Sequence, residues 1–227
     1  MIDYGADTLR LVETVFDEGA THAAVLMRHS AREFAAGRHD LENPLTDEGR
    51  ELAHQLGAGL PKEVLVRGYA SPAERCLETA ELMLNGHRGG GGRVTRHRPI
   101  EALGVFYVLD QMKMFKAMTA AGGQLPFLGA WFDERVPTDV MMPAQLAARL
   151  VAGVVTDKLD QVVERPQLDV CVSHDMTVYT VRHILMGIEA NETNEVRFLD
   201  GLVFYEMEDQ LRVRSSYGDS VVGGSDR

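Results

Sequence analysis

Apolar positions recur along the chain with two periods, and the alternation between them sets out an order of elements. From Asp7 to Glu18, Leu9, Val12, Val15 and Phe16 fall at helical spacing, and Gly19 follows as a stop. Ala23 to Met27 is a continuous apolar run, which predicts a short buried strand. Glu33 to Asn43 has no clear period and reads as a loop carrying Arg38 and His39. Thr46, with Asp47 and Glu48 behind it, marks a helix start, and Leu52, Ala53, Leu56 and Gly57 give that helix a packed face to about Leu60. Val64 to Ala70 predicts a second strand, and Ser71-Pro72 opens a helix running to Leu84. Asn85 to Gly92 ends in four glycines and is expected to be a flexible loop. It lacks the Gly-Lys-Ser/Thr ending and the preceding apolar strand of a phosphate loop.

Arg93 to Arg98 predicts a short strand stopped by Pro99. Asp110 to Val140, rich in Met, Phe, Ala and Gly, predicts one or two helices forming a cap or side wall. A long amphipathic helix is expected from Met142-Pro143 to about Val163, with Leu146, Leu150, Val154 and Leu159 on one face. Leu168 to Val172 is again a continuous apolar strand, and Met176 to Met186 a helix closed by Gly187. Val196 to Met207 and Leu211 to Ser216 predict a hairpin turned at Glu208-Asp209-Gln210. Strands alternating with helices argue an α/β fold, a three-layer sandwich with a mostly parallel central sheet flanked by helices. We expect one domain over residues 1–217, with 105–142 as the helical insertion and a disordered tail over 218–227.

Composition adds little to that frame, whereas charge adds more. The 227 residues are 45 % hydrophobic and 25 % charged, ordinary for a globular protein that buries a sizeable core. No apolar run approaches the roughly 20 residues that span a bilayer. The N-terminus lacks the basic and apolar regions of a signal peptide, so a cytoplasmic location is the expectation. Cys76 and Cys171 form neither a metal-ligand spacing nor a disulfide framework and read as small core residues. A net charge of −11 argues against nucleic acid or an anionic membrane as partner. It also makes any cationic spot informative.

Such a spot follows the first strand. Arg28, His29 and Arg32 are delivered to one loop, an arrangement costly to bury unless an anion neutralises it. Guanidinium forks suit phosphate or carboxylate oxygens, and a histidine between them can attack or shuttle a proton near neutral pH. The alternative is a strand running out into a solvated, charged turn. Two further strand ends carry comparable chemistry: Arg75 just after the second strand, and His174 with Asp175 after a later one. Ligands of open α/β sheets bind outside the carboxyl ends of the strands, so these groups are expected to converge on one crevice. Three arginines and two histidines there describe a receptor for a doubly charged tetrahedral anion. His22, His54, His87, His97 and His183 read as structural or surface residues.

Leu26-Met27-Arg28-His29-Ser30 resembles the Arg-His-Gly signature of the histidine phosphatase superfamily, which includes the phosphoglycerate mutases and the histidine acid phosphatases. The segment from Ala70-Ser71-Pro72 through Arg75 to Thr79-Ala80 resembles its second signature, and Val172-Ser173-His174-Asp175 its third. Asn43 to Gly49 is similar to the family's loop into its first helix, so the resemblance covers most of residues 23–187.

The resemblance implies a phosphoglycerate mutase-like fold and a phosphatase acting on a small-molecule phosphate ester or a phosphorylated protein. His29 would attack phosphorus and become phosphohistidine, while Arg28, Arg75 and His174 hold the phosphoryl oxygens. Arg32 matches the extra arginine of the acid-phosphatase branch. No metal and no cofactor are implied, since arginines supply the positive charge. Two residues compete as proton donor: Asp175 by analogy with the acid-phosphatase branch, to which we lean, and Glu101 by analogy with the mutase-like branch. Ser30 stands where the family has Gly, which puts the loop geometry in question. A phosphomutase, a non-catalytic phospho-ligand-binding protein and a metal-dependent phosphohydrolase built on His174-Asp175 are the competing readings. Oligomeric state and substrate are not encoded in any readable motif.

Overall fold

The computed structural model describes residues 4–35, 37 and 42–223; Arg38 and His39 lie outside them. The described strands are β1 (His22–Arg28), β2 (Leu65–Ala70), β3 (Arg93–Val94), β4 (Arg98–Pro99), β5 (Gln167–Ser173), β6 (Gly201–Met207), β7 (Gln210–Ser215) and β8 (Gly218–Val221). They form one sheet in the order β3-β2-β5-β1-β6-β7-β8, with β4 also on β2. Pairings among β1 to β5 are parallel, while β6, β7 and β8 add an antiparallel edge. The continuous apolar runs of β1 and β5 have their reason here: both lie in the middle of the sheet and are covered on both faces.

Alternate residues of β1 serve opposite cores, as the strand pleat requires. Ala23, Val25 and Met27 join one cluster with Val12, Leu56 and Met83 from helices α1 (Ala6–Asp17), α2 (Asp47–Gly59) and α3 (Glu74–Gly89). Ala24 and Leu26 join the other. That second cluster is built on α4 (Gln111–Ala120), α5 (Gln124–Phe132), α6 (Ala144–Thr156) and α7 (Asp175–Met186), with Trp131, Phe127 and Val181 among its members. The expected sandwich is present, with helices on both faces of a mixed, largely parallel sheet. No helix among the described residues is long and apolar enough to cross a membrane.

Several expectations need correction. Residues 85–89, expected as a loop, continue α3. Glycine is used there for close helix contact: a Cβ on Gly86 would lie 2.0 Å from the His54 carbonyl oxygen of α2, and one on Gly57 would lie 2.0 Å from that of Met83. Helix α6 ends at Thr156, well before Val163, and its buried stripe is Ala144, Ala147, Ala148, Val151 and Val155. Leu146 and Leu150, placed on the packed face by periodicity, are 46 % and 45 % exposed. Residues 196–200 form a loop with Leu199 in the left-handed region at φ 63°, and the strand starts only at Gly201. The tail expected to be disordered from Gly218 instead adds β8. Asp219 anchors it by accepting hydrogen bonds from the Tyr205 hydroxyl (2.6 Å), Arg214 (2.8 Å) and Arg212 (3.1 Å).

Candidate active site

Strands β1, β5 and β2 end side by side. The His29 N–H donates to the Ser173 carbonyl (3.0 Å) and the Ser71 N–H to that of Val172 (2.8 Å), so the residue after each strand is held against its neighbour. The loop leaving β1 is then fixed to two helices. Ser30 donates its N–H to the Thr79 hydroxyl of α3 (3.2 Å) and its own hydroxyl to the Gly49 carbonyl of α2 (2.6 Å). Ser30 thus faces the helices, and its φ is not in the left-handed region, so the backbone does not require glycine. Its hydroxyl is a structural donor to α2.

His29 is 2 % exposed. Its Nδ1 lies 2.8 Å from the Ser30 carbonyl oxygen, which only accepts, so Nδ1 carries the proton. Nε2 therefore keeps its lone pair, and Arg75 Nε donates to it at 2.9 Å. The other arm of Arg75 points Nη2 at His174 Nδ1 (3.3 Å), which leaves the His174 proton on Nε2, directed at the Ser71 hydroxyl at 2.9 Å. The two imidazoles meet edge to face with centroids 5.7 Å apart. Burial, then the charge of Arg75, then His174 and Arg28 hold the His29 imidazole well below the usual histidine pKa. At neutral pH it is an uncharged base with one lone pair facing cations.

Arg28 is held on three sides. Its Nη1 donates to the Val196 carbonyl (2.8 Å), its Nη2 pairs with Asp175 (3.2 Å), and its guanidinium lies 4.1 Å from the Phe198 ring centroid. Arg32 donates to the Glu33 carbonyl (3.1 Å) and covers the Phe34 ring at 4.2 Å. Asp175 is the first residue of α7 and caps its own turn by accepting from the Met176 N–H (2.7 Å). Cys76 lies beneath the cluster, 3.8 Å from His174 Nε2, but burial pushes its thiol up to about 12 and it stays protonated and inert.

Arg28, His29, Arg32, Arg75, His174 and Asp175 line one cavity of about 350 Å³. The structure therefore brings together every residue that the strand-end argument singled out. Glu101, named from the resemblance alone, is exposed at the start of a 3-10 turn, Glu101–Leu103, and is not part of the cavity lining. Thr79, Phe198, Val196 and Glu195 were not singled out from sequence. Thr79 sits inside a quoted motif but has no charge to attract notice, Val196 and Phe198 lie on a loop read as strand, and Glu195 directly precedes it. Among the described residues no group of three or more His, Cys, Asp or Glu side chains is arranged to hold a metal ion.

Comparison with curated protein sequences finds no match. Among solved structures, YhfR of Bacillus stearothermophilus is similar at a TM-score of 0.56 and 17 % identity, covering 86 % of this chain and 96 % of that one. A phosphoglycerate mutase from Bacillus anthracis is similar at 0.55 and 18 %, over 87 % and 94 % of the two chains. A phosphoserine phosphatase mutant from Entamoeba histolytica, in complex with phosphoserine, gives 0.53 and 14 %, over 91 % and 98 %. At these identities the likeness is one of fold. The sequence itself matches the family model of the histidine phosphatase superfamily (branch 1) over residues 24–207, and the chain belongs to that superfamily.

Proposed function

We propose that the protein is a metal-independent phosphatase that hydrolyses a phosphomonoester through a phosphohistidine on His29. The observation that carries this reading is the state of His29: a neutral imidazole whose Nε2 lone pair faces the guanidinium of Arg75 inside a cationic cavity. On entry, the phosphoryl oxygens take over the N–H groups of Arg75 and Arg28, and His29 Nε2 is released towards phosphorus. Attack forms the N–P bond as the ester P–O bond breaks in line, with Arg28 and Arg75 donating to the equatorial oxygens; His174 joins them once Arg75 has turned to the phosphate and Nδ1 has taken up a proton. Arg32 is the outer cation of the same site. Asp175, which lines the cavity where Glu101 does not, protonates the leaving oxygen. It then takes a proton from the water that attacks phosphorus, the N–P bond breaks, and inorganic phosphate leaves.

Wild type and His29→Ala are compared on p-nitrophenyl phosphate and a panel of metabolite phosphates, with phosphate release as the readout. The variant is expected to lose at least about 10³-fold in turnover, because removing a nucleophile leaves only binding and electrostatics. Acid-labile, alkali-stable label on the wild-type protein, absent from the variant, is the accompanying signature. Absence of turnover by wild type on every ester, or equal turnover by both proteins, overturns the reading.

A further inference from the structure

Beyond its cationic floor, the cavity has a wall of a different kind. Val105, Val108, Met114, Phe115 and Met118 face it from the segment ending in α4, and Phe34 stands at its edge. Phe34 and Phe115 are 72 % and 42 % exposed, an unfavourable use of large aromatic side chains unless something apolar covers them. The Arg32 guanidinium sits over the Phe34 ring, 4.2 Å from its centroid, and holds that ring at the rim. Among the described residues, the arginines of the lining, Arg28, Arg32 and Arg75, all belong to the strand-end cluster, and the remaining charged lining residues, Asp175 and Glu195, are acidic. A second anionic group on the substrate would meet the Glu195 carboxylate, with Asp175 already paired to Arg28. An apolar group would meet valines, aromatic rings and adaptable thioethers.

We propose that the site selects phosphomonoesters of apolar, uncharged alcohols or phenols, the organic group lying on Phe115, Met114, Met118 and Val108. The proposal deepens the phosphatase reading and rests on its assignment of phosphate to the arginine floor. At about 350 Å³ the cavity matches a one- or two-ring group. That volume is near the lower end of the roughly 300–1,000 Å³ usual for small-molecule sites. Phe115 is a specificity residue here, touching the organic group and not the reacting atoms.

Affinity for non-hydrolysable phosphonates tests this without turnover. The wild-type protein is titrated calorimetrically with 1-naphthylmethylphosphonate, with 2-amino-4-phosphonobutyrate (the carbon–phosphorus analogue of phosphoserine) and with inorganic phosphate. The naphthyl compound is expected to bind roughly tenfold or more tightly than the amino acid, from the apolar area it buries. Phe115→Ala should weaken naphthyl binding about fivefold and leave inorganic phosphate unchanged, while Phe115→Leu restores most of the loss. Equal or tighter binding of the amino-acid phosphonate, no response to Phe115→Ala, or no binding of either phosphonate overturns the proposal. Tight naphthyl binding with no hydrolysis of any ester would instead sink the phosphatase reading alone.

Discussion

Ser30 follows His29 at a position where the family motif carries glycine, and its environment shows what the substitution costs and gains. The Cβ and hydroxyl point away from the cavity into the α2–α3 side, where the hydroxyl satisfies the Gly49 carbonyl. Ser30→Gly is expected to keep turnover, since the backbone needs no left-handed conformation there, but to lower stability by about 1 kcal/mol for the lost hydrogen bond and added chain entropy. Thermal unfolding and kcat on p-nitrophenyl phosphate, read together, check both halves. His29 makes a second prediction, about pH. Its folded-state pKa lies below the unfolded value near 6.5, so below pH 6.5 the unfolded chain binds more protons than the folded one. Its contribution is fully present above pH 6.5 and is lost as pH falls from there towards the depressed folded value. The slope reaches up to about 1.4 kcal/mol per pH unit at most. Urea unfolding from pH 7.5 to 5 should show a steeper loss in wild type than in His29→Ala; parallel curves would remove His29 as the cause.

Contact between α2 and α3 shows why the helices on this face were only partly legible. Thr46 accepts from the Gly49 N–H at 2.9 Å, and the helix it opens was readable from cap, acidic first turn and apolar spacing. The full length of α3 was not. Gly86, Gly89 and Gly90 look like a loop in one dimension, and only the approach of a second helix explains why Gly86 lies inside one. The same limit applies to α6, where periodicity favours leucines but the buried face, packed chiefly against α7, is alanine and valine. Strand ends were legible for the opposite reason: an apolar run terminating in Arg-His or Ser-His-Asp is a local signal, and topology alone then forces convergence. Phe198 and Val196, which hold Arg28, sit on an irregular loop whose path depends on Leu199 at positive φ, and no local pattern marks it. Gly57→Ala would place a methyl 2.0 Å from the Met83 carbonyl and is expected to lower stability by about 2–3 kcal/mol through overpacking. Chemical denaturation measures it. A change below about 0.5 kcal/mol, the range of an ordinary surface substitution, would mean that the helices separate freely.

Across the whole molecule the sheet separates two charged poles. The carboxyl ends of β1, β2 and β5 carry the cluster of Arg28, His29, Arg75 and His174, while the other end of the same strands carries an ion network around Asp169. That carboxylate is fully buried, accepts from Arg67 at 2.5 and 2.8 Å, and lies 2.7 Å from His22 Nε2. Burial alone would raise its pKa, but the hydrogen bonds of His22 and Arg67 outweigh that and hold it below the usual carboxylate range. Since β1 and β2 flank β5, the network ties the starts of the strands whose far ends must stay in register for Arg75, His29 and His174 to meet. Asp169→Ala takes the carboxylate from the part-buried Arg67 guanidinium, which keeps Gln161 (2.8 Å) as a side-chain acceptor, and removes the partner of His22 Nε2; it is expected to cost about 3 kcal/mol. Phosphate bound as proposed, at the opposite pole and by the native state only, should still protect what folds. The two effects separate in a thermal-shift experiment. Asp169→Ala starts from a much lower Tm yet gains as much from added phosphate as wild type does, whereas Arg75→Ala loses the phosphate gain. If Asp169→Ala lost that gain as well, the two poles would be coupled through the strands, and the network would be acting on binding as well as on stability.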